Sequence, residues 1–442
     1  MADVRRIALR LLEAWERDDT YLNLSLNSPA AAGLSREERG FLTALLYGTV
    51  ERRITLDYLI GRIASRSDLS PRTRNILRLG FCQLFFMRNL PAHAAVDLTV
   101  SLGESKGERG FVNGVLRSAL RQFVSPDGTV SLPFPPRERG LARHLSVAYS
   151  FPPDLVRFFL DLYGGEGTEN LLAAFNRECP LTLAVNTLKT AREDLALRFA
   201  EAGIEATPTR YSPVGLTVID APPVTALPGF SEGLFFVQDE AAQLSALILS
   251  PAPGSTVVDP CACPGGKSFA AAIAMGDKGS VFAFDLHGSK LPLISDGAAR
   301  LGLSSVKVSE RDAVDPDPAL LGKCDRVICD VPCSGLGVLG KKPDLRYRAL
   351  DRITELPALQ AAILSASANY LAPGGKLLYA TCTLNPKENG EVVSNFLATA
   401  PSFRRVPFSV CGLDAPDGEL TLTPHIHATD GFYYALLERV KP

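Results

Sequence analysis

The chain has 442 residues, 46% hydrophobic and 21% charged, the profile of an ordinary globular protein with room for two or three domains and a core that needs no covalent staples. A formal net charge of −2 excludes a uniformly basic nucleic-acid binder, but the charge is unevenly placed: residues 1–125 hold 18 Lys and Arg against 13 Asp and Glu, and the rest hold 28 against 35. A basic module on an acidic body is the asymmetry expected where one domain meets phosphates, although a solvated helical surface carries the same balance. Nine cysteines is an odd number, and no apolar run follows Met1–Arg6, so neither a secretory signal nor a membrane span is expected. The thiols are expected reduced, in the cytoplasm, where clustered cysteines point to catalysis or metal before disulfides.

In chain order, the first 125 residues read as helices. Ile7, Leu11, Leu12 and Trp15 share one face at 3.6-residue spacing. Ser35-Arg36-Glu37-Glu38 is a capping box ahead of Phe41, Leu42, Leu45 and Leu46. Leu56, Leu59, Ile60 and Ile63 form another stripe, and Ser70-Pro71 opens a further helix. Val112, Val115, Leu116, Ala119, Leu120 and Phe123 complete an all-α domain over 1–125. The proline-rich residues 126–153 predict a linker. Over 154–235, alternation in Leu181–Leu188 predicts a strand, 191–202 a helix ended by Gly203, and Gly215–Ile219 a second strand, together a small α+β segment. From 236 to 442, short apolar runs at Thr256–Asp259, Ser280–Asp285, Val306–Val308, Arg326–Asp330 and Lys376–Thr381 alternate with helical stretches. That pattern predicts a Rossmann-like α/β domain with a parallel sheet, helices on both faces, and ligands at the carboxyl ends of strands.

Four landmarks sit at those strand ends. The first is Val258-Asp259-Pro260-Cys261-Ala262-Cys263-Pro264-Gly265-Gly266-Lys267-Ser268, a strand followed by a glycine-rich turn and a helix. Such a turn brings backbone close to a ligand, and the helix start favours an anionic group. It is not a P-loop, because Cys261 stands where the first glycine belongs, and the Gly-x-Gly-x-x-Gly fingerprint is absent. The second is Asp285, 26 residues after Asp259, where a carboxylate would meet ribose hydroxyls; Asp312 follows at the next strand end. The third is Cys329-Asp330-Val331-Pro332-Cys333-Ser334-Gly335, and the fourth is Tyr379-Ala380-Thr381-Cys382-Thr383. A lone cysteine is usually a small buried hydrophobe. Two on strand-end loops facing one cleft are better explained by reactivity. No metal is expected, since the cysteines lack paired C-x₂₋₄-C spacing and the histidines form no helical pair.

At these landmarks the sequence resembles the RNA cytosine-C5 methyltransferases, with Glu388-Asn389 six residues after Cys382 and Thr429-Asp430-Gly431-Phe432 like that family's closing strand. The first 120 residues resemble the NusB-like RNA-binding domain, and the pairing points to the RsmB (Sun/Fmu) branch, which acts on 16S ribosomal RNA. Cys263 for Ala, Val331 for Ala, Thr383 for Ser, and Gly390 after Asn389 depart from the family pattern beside the reactive groups. The resemblance implies S-adenosyl-L-methionine on Ala262, Cys263, Pro264, Gly265, Gly266 and Lys267, with Asp285 on the ribose, Asp312 at the adenine amino group and Asp330 bordering the methionine end. It implies Cys382 as nucleophile, Cys333 in enzyme release, Asp330 at the base, and Lys267 in electrostatic support. Lys290 stands where the family usually has a basic residue.

The expected partner is small-subunit ribosomal RNA, with no membrane and no metal, and a monomer is the default. Arg5, Arg6, Arg10, Arg36, Arg39, Arg52, Arg53 and Arg117 are candidate RNA contacts, as is the basic segment Gly340–Arg348 with its Tyr347. The rivals are the same chemistry on transfer RNA, a NusB-like binding or assembly protein with a vestigial enzyme domain, and an NTPase.

Overall fold

The computed structural model describes residues 4–441 apart from 19–21, 23–25, 27, 28, 32, 67, 88, 89, 349 and 351–353. The chain divides into two compact units, one made of residues 1–176 with 342–348, the other of 177–341 with 349–442.

The first unit is helical: α1 (Val4–Asp18), α2 (Arg36–Glu51), α3 (Arg53–Ile63), α4 (Pro71–Phe85), α5 (Ala92–Val100), α6 (Lys106–Phe123), α7 (Leu141–Tyr149) and α8 (Pro153–Phe175). The capping box forms: Glu38 N–H donates to Ser35 Oγ at 3.2 Å, and Ser35 N–H to the Glu38 carboxylate at 3.0 Å. The apolar stripes meet in one core around Leu9, Leu12, Leu45, Leu46, Leu59, Leu77, Phe81 and Leu116. The segment 126–153 differs from the linker expected there. It holds α7, tied down where Thr55 Oγ1 donates to Val147 O at 2.5 Å and Ile54 N–H to Ser150 Oγ at 3.0 Å. Its prolines flank helices rather than break one, and Pro153 occupies the first turn of α8.

The stretch Gly340–Arg348 corrects an expectation. Lys341 lies between Asp239 and Asp430, with its Nζ 2.9 Å from Asp430 Oδ2. Beyond it, residues 342–348 form part of the helical unit. Arg346 is 1% exposed, its guanidinium 4.0 Å from the Phe151 ring centre and donating to the carbonyls of Glu51 and Phe175. Tyr347 packs edge-on to Trp15 and donates its hydroxyl to Val50 O at 2.8 Å. These cations serve packing, and Lys342 is the exposed member. Among the candidate arginines, Arg5 donates to Gln83, Arg52 pairs with Glu51, and Arg53 pairs with Glu16 and lies over Trp15, while Arg6, Arg10, Arg36, Arg39 and Arg117 are exposed.

The second unit begins with an antiparallel sheet of order β2-β3-β1-β4, from β1 (Leu181–Val185), β2 (Ala206–Pro208), β3 (Gly215–Val218) and β4 (Phe235–Val237), with α9 (Arg192–Glu201) packed on it through Leu195 and Phe199. The main sheet contains parallel strands in the order β9-β8-β5-β6-β7: β5 (Thr256–Asp259), β6 (Ser280–Asp285), β7 (Val306–Glu310), β8 (Cys324–Asp330) and β9 (Leu371–Thr381). Beyond β9 the edge turns antiparallel, through β14 (Phe432–Arg439), which pairs β9, β10 (Phe403–Arg405) and β13 (Glu419–Leu422), while β11 (Phe408–Val410) and β12 (Leu413–Ala415) form a separate antiparallel pair. Alternation sorts the core into two faces. Val257, Ile328, Leu378 and Ala380 meet α10 (Glu240–Leu249), α11 (Gly266–Ala274) and α12 (Leu291–Leu301). Val258, Val327, Leu377 and Tyr379 meet α13 (Leu356–Ala368) and α14 (Gly390–Thr399). No helix among the described residues is long and apolar enough to cross a membrane.

Candidate active site

Strand order reverses at β5, so the carboxyl ends of β5 and β8 flank the crevice where open α/β sheets bind ligands. The turn leaving β5 is tight: Ala262 N–H donates to Phe284 O at 2.7 Å and Gly265 N–H to Ala262 O at 2.6 Å. Gly265 has φ +109°, and a Cβ there would fall 2.4 Å from Phe269 Cζ, so only glycine fits. The chain then enters α11 with its first-turn N–H groups bare of side-chain caps. Cys263 and Pro264 line the turn, joined by a cis peptide bond. Asp285, at the end of β6, fixes one oxygen on His287 N–H at 3.0 Å. Asp312, two residues past β7, is exposed and accepts from Val314 N–H at 3.1 Å.

Lys267, in the first turn of α11, sends Nζ to Asp330 Oδ2 at 2.6 Å and lies 5.2 Å from the Phe432 ring centre. Burial pulls its ammonium down, but the charge and hydrogen bond of Asp330, with the potential of Cys382, hold it above the usual lysine range. Asp259 is 1% exposed; its Oδ2 accepts from Ser268 Oγ at 2.7 Å, and its Oδ1 has no hydrogen-bond partner within 3.5 Å among the described residues. Burial first, then the nearby Asp330 charge, lifts it to about 7 against the Ser268 hydrogen bond.

Asp330 of β8 and Ala380 of β9 are partners in adjacent parallel strands, and the two cysteines lie just beyond them on neighbouring loops. Cys333 Sγ and Cys382 Sγ are 3.2 Å apart, both half-buried. The loops are locked together through backbone: Gly337 N–H donates to Cys382 O at 2.9 Å and Gly431 N–H to Gly337 O at 2.8 Å. The hydrogen bond with Cys382, then burial, then the charges of Cys382 and Glu388 push the Cys333 thiol well above the ordinary cysteine range. Cys329, fully buried beneath them, is pushed up to about 12 by burial and is inert.

The structure therefore brings Cys333, Cys382, Asp330 and Lys267 together, with the turn 262–267 adjoining and Asp285 and Asp312 along the same sheet edge. Lys290 stands at the start of α12, where its charge reaches the Cys263 thiol. Sequence reasoning met Glu388 only as part of a motif and missed what it holds. Glu388 is fully buried, and its carboxylate accepts from Ser334 N–H at 2.8 Å, Ser334 Oγ at 2.5 Å, Gln360 Nε2 at 3.0 Å and Asn385 Nδ2 at 3.0 Å. The one local signal was an acid in an Asn-Pro-Lys-Glu turn, which reads as solvent-exposed.

Three family models match the chain: 16S rRNA methyltransferase RsmB/F over residues 246–438, the NusB family over 2–121, and an RsmF/B-like ferredoxin-like domain over 151–225. The chain is 38% identical to the probable ribosomal RNA small subunit methyltransferase B of Synechocystis, over 99% of this chain and 100% of that one. The chain belongs to the RsmB/F family of 16S ribosomal RNA methyltransferases. Ribosomal RNA small subunit methyltransferase B of Pseudomonas putida is 35% identical over 94% of each chain. A crystal structure titled PH0851 matches 99% of this methyltransferase and 98% of its own chain with a TM-score of 0.79 and 27% identity. A methyltransferase homolog protein from Pyrococcus horikoshii matches with a TM-score of 0.57 and 25% identity, over 67% of this chain and 98% of that one. The ferredoxin-like match over 151–225 takes in α8, β1, α9, β2 and β3 and stops short of β4, a finer description than the α+β segment expected from sequence.

Proposed function

We propose that this 16S ribosomal RNA methyltransferase modifies carbon 5 of a cytosine, with S-adenosyl-L-methionine as the methyl donor and Cys382 as the nucleophile. The observation that carries the reading is the pair of half-buried thiols 3.2 Å apart on loops from adjacent strands. Carbon 5 of cytosine is a poor nucleophile. A thiolate adding to carbon 6 turns the ring into an enamine, which splits one hard step into easier ones. Such a route needs one sulfur to add and benefits from a second group at release. Cys382 Sγ bonds carbon 6, the proton given up by its thiol ends on N3, and Asp330, held by Lys267, accepts a hydrogen bond from that N3–H. At release the carbon 5–hydrogen pair re-forms the carbon 5–carbon 6 double bond and the Cys382–carbon 6 pair returns to Cys382 Sγ; Cys333, a thiol 3.2 Å away, gives its proton to that departing sulfur and takes up the carbon 5 proton in exchange. S-Adenosyl-L-methionine supplies an electrophilic methyl group aimed at carbon 5.

The residues present fit that donor. Gly265 and Gly266 leave the backbone of the turn unshielded, and carboxylates at successive strand ends are acceptors for hydroxyl and amino groups. The turn Ala262–Lys267 would hold the donor, Asp285 its ribose, Asp312 its adenine amino group, and Asp330 would border its methionine end. The target base must leave its stack to reach the thiols. The exposed arginines of the helical unit, Arg6, Arg10, Arg36, Arg39 and Arg117, supply phosphate contacts to the RNA.

Incubation with labelled S-adenosyl-L-methionine, unmodified small-subunit ribosomal RNA and transfer RNA, followed by nucleoside analysis, tests this. The expected product is 5-methylcytidine in the small-subunit RNA alone. Label only in transfer RNA overturns the substrate. No label in either, nor in assembled subunits, leaves a binding protein. Cys382→Ala is expected to abolish transfer while retaining cofactor binding. Cys333→Ala is expected to accumulate a protein–RNA adduct that survives a denaturing gel.

A further inference from the structure

Glu388 is a carboxylate with no exposed surface, and it faces donors from three directions. The Cys333 loop gives the Ser334 backbone N–H and hydroxyl, α13 gives the Gln360 amide, and the Cys382 loop gives the Asn385 amide. Thr383, the residue after Cys382, shares a 2.7 Å hydrogen bond with Ser334 Oγ and reaches Glu388 Oε1 at 3.5 Å. Tyr379 donates its hydroxyl to Glu388 O at 2.7 Å, so the main chain is pinned as well. The residues immediately following both reactive cysteines thus converge on one buried anion.

Burying a carboxylate is costly unless its lone pairs are filled, and here donors surround both oxygens. A neutral amide at this position would turn an NH₂ group towards N–H and O–H groups that all donate. The group therefore has to be an acceptor at both ends, and the loops have to close around it together.

We propose that Glu388 is a positioning residue that sets the Cys333–Cys382 geometry by clamping the two cysteine loops through Ser334, Thr383 and Asn385. This rests on the reading that Cys382 attacks and Cys333 assists release. The clamp also orders the charges around the sulfurs. Its anion stands on the Cys333 side and favours a protonated Cys333, in the direction its thiol is pushed, whereas the Lys267 ammonium stands on the Cys382 side. One sulfur is held for attack and the other for the proton exchange at release.

The test uses full-length protein and small-subunit RNA carrying 5-fluorocytidine, which traps the carbon 6 adduct because fluorine at carbon 5 cannot leave as a proton. Glu388→Gln is expected to slow adduct formation at least tenfold, with S-adenosyl-L-methionine affinity and RNA KM changed less than twofold. The double variant Ser334→Ala/Thr383→Val, which leaves Gln360 and Asn385 on the carboxylate, is expected to slow it at least fivefold with an unchanged thermal midpoint. Should Glu388→Gln not fold, the double variant decides. Wild-type adduct rates in the variants overturn the clamp, as does a loss matched by an equal loss of cofactor affinity, which marks general unfolding. Cys382→Ala runs in parallel. An adduct that persists there overturns the nucleophile assignment and leaves the clamp to be judged by the other variants.

Discussion

At the scale of single residues, the site spends its polar groups unevenly. Asp330 and Lys267 satisfy each other, whereas Asp259 is buried with one oxygen that finds no partner among the described residues. With a folded value of about 7 against about 4 for an unfolded carboxyl, the folded chain keeps a proton that the unfolded chain has lost. Stability is thus favoured below that window and falls as pH rises from about 4 to about 7, by at most about 1.4 kcal/mol per unit, then levels off. Asp259→Asn is expected to remove this slope, so urea midpoints at pH 5 and pH 8 should lie closer together in the variant. Equal slopes in both proteins sink the assignment. The placement of Cys333 and Cys382 was legible in the sequence because each follows an apolar run that ends at the sheet edge. Their 3.2 Å approach was not, since nothing local says that β8 and β9 are neighbours. Glu388 shows the opposite failure: a charged residue in a polar turn gives no hint of burial until Ser334 and Gln360 arrive from elsewhere.

At the scale of elements, three loops beyond the sheet are stapled main chain to main chain. Gly337 lies so close to Gly431 that a Cβ on it would fall 2.0 Å from Gly431 O. Backbone cannot yield as a flexible side chain can, so Gly337→Ala must move the Cys333 loop or the strand start at Phe432. We expect at least a tenfold fall in methyl transfer, with cofactor binding and far-ultraviolet dichroism near wild type; wild-type turnover would show that the loops shift without consequence. The strands carrying these loops were readable from apolar runs that stop at an acid, such as Thr256–Asp259 and Ser280–Asp285. The antiparallel entry of β14 beside β9 was not, because Phe432–Arg439 is apolar enough to sit anywhere in a sheet.

At the scale of the whole molecule, the segment 342–348 shows where pattern reading stops. Lys341, Lys342, Arg346 and Arg348 around Tyr347 have the composition of an RNA contact. The partners that bury Arg346, namely Phe151 and the carbonyls of Glu51 and Phe175, lie far away in sequence. Removing that side chain leaves two carbonyls short of a donor and a void beside Phe151. Arg346→Ala is therefore expected to lower the stability of the helical unit by about 2–4 kcal/mol, whereas Lys342→Ala, on the exposed side, is expected to lie within about 0.5 kcal/mol of wild type. Chemical denaturation followed by Trp15 fluorescence measures both. An Arg346→Ala midpoint equal to wild type removes its packing role.

That same segment bears on the order in which the protein is made. Residues 1–176 leave the ribosome first, yet the helical unit includes Lys342–Arg348, synthesised only after β5 to β8 and the first cysteine loop. The part of the molecule translated earliest is completed by a piece translated much later. A nascent chain halted before residue 342 would carry an unfilled seat for Arg346 and Tyr347, and two halves of the gene expressed as separate polypeptides would have to exchange that piece before either was whole.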